Sequence, residues 1–191
     1  MNENFAGKRW CLRNIAGNAS PSDNVINLNG ILLKCPQTTT FELVGNISKS
    51  NSHNGHPDAH FGLLCKGVFE IENPYEQYSQ MLIDWHGDKN VYISVGTTNF
   101  LWYAMTNCGN KNVATTYRFL PLHVLSDTEA HGCYSRLKMS SSQWHDMVRP
   151  FTTANKTPKQ IAEYIKANES YFIGSSNCVE FAVKLQTYLR D

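Results

Sequence analysis

Cys178 is the residue in this sequence best placed to do chemistry. It opens a segment in which Cys178, Ala182, Leu185 and Leu189 recur at helical spacing, so the four share one face. Ser176 or Asn177 can cap that helix, and Glu180 near its start suits the helix dipole. A thiol is a nucleophile only as its thiolate, and the free N–H groups at a helix N-terminus stabilise that anion. The same N–H groups offer an oxyanion hole to a tetrahedral intermediate. The competing reading is a small apolar side chain buried at the start of an amphipathic helix. A suitable base elsewhere in the chain decides between the two.

Seven histidines compete to be that base. His53 and His56 sit in the polar run Ser48–Asp58, which reads as an exposed loop. His145 falls on a surface helix, and His123 and His131 flank an irregular segment. His86 opens the turn HGDKN and reads as a turn residue. His60 is different, because it begins a strand, HFGLLC, that leads through Lys66–Gly67 into VFEIE. That is a β-hairpin pattern. A two-residue turn at Lys66–Gly67 would pair residue 60 with Asn73, which could then orient the imidazole; one residue of slippage favours Glu72.

These residues need a frame. The first half of the chain reads as β, with strands at Ile31–Leu33, Thr39–Val44, His60–Cys65, Val68–Glu72, Gln80–Asp84, Val91–Val95 and Phe100–Met105, and one more at Tyr117–Leu122. The second half turns helical. Ser141–Thr152 can form one helix. Thr157–Ala167 carries a capping box of Thr157 and Gln160 with Pro158 at the first helical position. The last helix runs from about Asn177 to Leu189. The length of 191 residues suits a single domain, with residues 1–55 as an N-terminal β extension.

Composition excludes several classes. Seventeen basic residues balance 16 acids with no basic run, so nothing points to a nucleic-acid partner. No segment has the ~18 consecutive apolar residues of a membrane span, so integral membrane association is not expected. MNENFAGKRW lacks the order of a signal peptide, which leaves a cytoplasmic protein or one exported by a signal-independent system. The six cysteines form no C-x-x-C pair and no zinc spacing, so no metal or organic cofactor is implied. Cys65, in the His60 hairpin, and Cys133, in HGC, rank below Cys178 as nucleophiles because neither stands at a helix start.

The segment YFIGSSNCVEFA (Tyr171–Ala182) resembles the tyrosine, short spacer, Asn-Cys-x-x-Phe element of circularly permuted papain-like proteins, the permuted NlpC/P60-type hydrolases and the related lecithin–retinol acyltransferase-like group. DAHFGLL (Asp58–Leu64) is similar to their histidine strand, and the order His60 then Cys178 fits the permuted arrangement. The resemblance implies an α+β fold with an antiparallel sheet packed against C-terminal helices. It implies Cys178 as nucleophile, His60 as base, Asn177 supporting the oxyanion, and Asn73 or Glu72 holding the imidazole. At that third position a second histidine is the acyltransferase-like residue, and its replacement here favours an amide over a lipid ester. The implied activity is a thiol hydrolase acting on a peptidoglycan peptide or other peptide amide. A secreted antibacterial effector, with a cognate inhibitor protein as partner, is one form of it. Two other classes stay open. Trp85, Trp102, Tyr103 and Trp144 could line the groove of a non-catalytic glycan- or peptide-binding module. An interaction protein is the other, although its usual charge asymmetry is absent.

Overall fold

The computed structural model describes residues 5–12, 24–36, 39–48, 60–72, 74–106, 117–153, 156–175 and 178–190. The fold is α+β. One antiparallel sheet holds nine strands. They are β1 (Gly7–Cys11), β2 (Val25–Leu28), β3 (Ile31–Lys34), β4 (Thr39–Ser48), β5 (His60–Ile71), β6 (Glu76–Trp85), β7 (Val91–Gly96), β8 (Tyr117–Pro121) and β9 (Phe151–Thr153). The order is β1-β7-β6-β5-β3-β2, with β4 also on β5 and itself paired to β8 and β9. The strands of residues 1–55 therefore belong to the same sheet as the rest.

Alternation along the strands sorts side chains onto two faces. Phe61, Leu63 and Cys65 of β5, with Met81, Ile83 and Trp85 of β6, face the larger core. On that side pack α2 (Asp127–Arg136), α3 (Ser141–Val148), α4 (Pro158–Ala167), α5 (Glu169–Ile173) and α6 (Cys178–Arg190). The other face buries Val44, Leu64 and Leu82 under Leu101 and Met105 of α1 (Thr98–Thr106). Helices α2, α3 and α4 each begin with a complete capping box, at Ser126–Glu129, Ser140–Gln143 and Thr157–Gln160. Each cap stabilises its helix by ~1 kcal/mol. Trp85 and Trp144 are core residues, so they do not line a groove.

Three expectations fail for identifiable reasons. Phe100–Met105 is helical: Thr97 Oγ1 accepts from Phe100 N at 3.2 Å, and buried Leu101, Ala104 and Met105 follow at helical spacing. The helix expected to reach Thr152 stops at Val148, because Pro150 forces Arg149 into an extended conformation (φ −64°, ψ 128°). The Lys66–Gly67 turn is a bulge inside the continuous strand β5, between Lys66 and Phe69 in the ladder with β6. Gly67 is required there, since a Cβ would lie 2.5 Å from Pro36 Cγ.

Candidate active site

The bulge moves the third residue. With β5 unbroken, its hairpin partner is β6, in the register Leu63↔Ile83 and Leu64↔Leu82. Glu72 lies exposed just past the far end of the strand, roughly 35 Å from His60. It cannot hold the imidazole. Asn73, like Asn177, lies outside the described residues, but the turn that would have set Asn73 opposite His60 does not exist.

Asp84 is the residue that stands beside His60. It projects on the same side of the sheet as Gly62, where a Cβ would meet Asp84 Cβ at 3.1 Å and Leu82 Cδ1 at 3.0 Å. Its Oδ2 lies 2.8 Å from His60 Nε2 and 2.6 Å from His86 Nε2. His86 is thus not a mere turn residue: it is buried, and its ring stands 4.7 Å from that of His60. Burial alone would raise the Asp84 carboxyl. The charge of His86 and the hydrogen bonds from His60 and His86 outweigh it and hold the group well below the usual carboxylate range. Arg9 closes the chain of contacts, with Nη2 3.1 Å from His86 Nε2 and its guanidinium 3.9 Å above the Tyr92 ring.

Cys178 arrives from the other side. It is the first residue of α6, which lays Phe181, Ala182, Leu185 and Leu189 into the larger core. Its Sγ accepts from Phe61 N at 3.4 Å, one residue after His60. Phe61 is itself fixed by an edge contact with Trp144, with ring centroids 6.3 Å apart. Among the described residues the β5–β6 ladder ends at Leu63↔Ile83, although β6 continues to Trp85. The thiol therefore touches the backbone one residue after His60, where β5 begins and its pairing with β6 has run out.

The other candidates fall away on chemistry. Burial, reinforced by Cys35, pushes the Cys65 thiol far up. Burial, then Glu129, pushes the Cys133 thiol to about 12, and Cys133 sits within α2. Both are poor thiolates at neutral pH. The residues that sequence reasoning missed, Asp84 and His86, did carry a signal. An aspartate inside the apolar run MLIDW must find buried partners, and a histidine two residues on lies to the same side. No family model, curated protein or solved structure matches the chain.

Proposed function

We propose that the chain is a thiol hydrolase of the permuted papain-like kind, with Cys178 as nucleophile, His60 as base and Asp84 as the residue that orients the imidazole. The observation that carries this reading is the 3.4 Å contact of Cys178 Sγ with Phe61 N, beside a histidine whose Nε2 is held 2.8 Å from a buried carboxylate. With Nε2 committed to Asp84, Nδ1 is the nitrogen that exchanges protons with the thiol. His60 takes the Cys178 proton as Sγ attacks the acyl carbon. It returns that proton to the leaving amine as the C–N bond breaks, and water then hydrolyses the thioester. Backbone N–H groups of the first turn of α6 hold the oxyanion. The substrate class is a peptide amide, with peptidoglycan peptide the first to screen.

The test is the rate at which Cys178 reacts with iodoacetamide between pH 4 and 9, followed by mass spectrometry in metal-free protein. Cys178 should react fastest of the cysteines at neutral pH, as an activated nucleophile does. His60→Ala and Asp84→Asn should each slow it. A Cys178 that reacts no faster than the other cysteines, at the same rate in all three proteins, overturns the reading.

A further inference from the structure

Two imidazoles and a carboxylate converge on one point where β5 begins. His60, Asp84 and His86 are all buried, at 7%, 1% and 3% exposure, and their ligand atoms lie within 4.8 Å of one another. Both Nε2 atoms face the same oxygen, Asp84 Oδ2. We propose that these three side chains form a site for a divalent transition metal of the zinc or cobalt class, and that a bound ion withdraws His60 from Cys178.

Ligand identity and spacing favour that class. Imidazole nitrogen with one carboxylate oxygen suits borderline ions such as zinc, and neither magnesium nor calcium prefers it. Bonds of ~2.1 Å to one tetrahedral ion place neighbouring ligand atoms about 3.4 Å apart. The observed separations of 2.8 and 2.6 Å need to open by roughly 0.6 to 0.8 Å to admit it.

Proton counting is the second, independent observation. His86 Nε2 lies 2.6 Å from an ionised carboxylate oxygen and 3.1 Å from Arg9 Nη2. It must donate to the first and accept from the second, and one nitrogen cannot do both. Arg9 thus presses a cation against a nitrogen whose proton is already used. Among the described residues Asp84 Oδ1 and Arg9 Nε have no hydrogen-bond partner, although both are buried. A metal ion resolves the conflict, because it takes the lone pairs of both Nε2 atoms and of Oδ2 and needs no proton there. Arg9 is then the competitor. Its guanidinium is a positive charge resting on Tyr92 at the rim of the site, and an incoming ion has to push it aside.

The site itself stands apart from the proposed activity; the blocking of Cys178 rests on it. Chelator-treated protein is titrated with cobalt(II), read by its visible absorption, and with zinc, read by calorimetry. Circular dichroism confirms that each variant is folded. Wild type should bind one ion per chain without a thiolate-to-metal charge-transfer band. His86→Gln should weaken binding by about 100-fold, and Arg9→Gln should tighten it by about tenfold. Zinc should slow alkylation of Cys178 in wild type and leave the rate ratio near one in His86→Gln. Absence of stoichiometric binding, or unchanged binding in His86→Gln, overturns the site. So does a charge-transfer band that disappears in Cys178→Ser, since it would put the ion on the thiol. Stoichiometric binding that leaves alkylation untouched overturns the blocking role. Slow alkylation in the metal-free protein instead overturns the thiol-hydrolase reading and leaves the cobalt result standing.

Discussion

Two buried carboxylates lie on the same face of the sheet, one at each side of the apolar patch of Val44, Leu64 and Leu82. Glu42 on β4 meets Lys66 Nζ at 3.0 Å and His123 Nε2 at 3.1 Å. Asp84 on β6 meets His60 and His86. Each acid has two nitrogen partners, yet the partners differ. Those of Glu42 are exposed to water, at 51% and 34%, whereas those of Asp84 are buried imidazoles. An acid whose partners keep their hydration is an ion pair that tethers elements. An acid whose partners are sequestered imidazoles fixes where their protons sit. The pairing of chemistry with burial, more than the presence of a buried acid, sets the Asp84 end of this sheet apart.

The largest expected effect separates the two acids directly. Asp84→Asn should cost about 3–5 kcal/mol in urea unfolding, because it leaves buried imidazoles without their counter-charge. Glu42→Gln should cost about 1 kcal/mol, since Lys66 and His123 remain solvated. Equal losses would erase the contrast. The pH dependence should divide them next. A carboxyl whose folded pKa is depressed stabilises the protein fully above its ordinary value near 3.8 and loses that contribution as pH falls through the folded value. Wild type should therefore lose stability below about pH 4 more steeply than Asp84→Asn, as read by urea midpoints across pH 2 to 6. A smaller effect tests the room made for Asp84. Gly62→Ala places a methyl 3.1 Å from Asp84 Cβ and 3.0 Å from Leu82 Cδ1. It should destabilise by about 1–3 kcal/mol and slow alkylation of Cys178. His123→Ala should be smallest, under about 1 kcal/mol, with no change in Cys178 reactivity.

The parts of this molecule legible in its sequence are those fixed by local signals. Thr157, Pro158 and Gln160 announce α4, and the spacing from Cys178 to Leu189 announces α6. The β2–β3 hairpin carries an equally local signal, Asn29–Gly30, whose positive φ values of 60° and 96° match the favoured two-residue turn. The orienting residue was hidden for a different reason. Which residue stands beside His60 depends on where β5 turns, and Lys66–Gly67 looks like a turn until Pro36, distant in sequence, is seen packed against Gly67. Register is a tertiary property, and one misplaced turn transfers the third role from Asp84 to Asn73. Phe100–Met105 misled through its aromatic residues, which suit a strand but here cover one with a helix.

The pairing of β4 has a consequence for how the chain is made. Its edges are completed by β5, then β8, and finally β9, whose residues emerge from the ribosome long after β4 itself. Strand pairings of such separation form slowly. At a synthesis rate of ~5–20 residues per second, the interval between Asp84 and Cys178 is on the order of ten seconds. During vectorial synthesis the imidazoles and their carboxylate can assemble first, and the thiol is delivered onto a nascent sheet that already holds them.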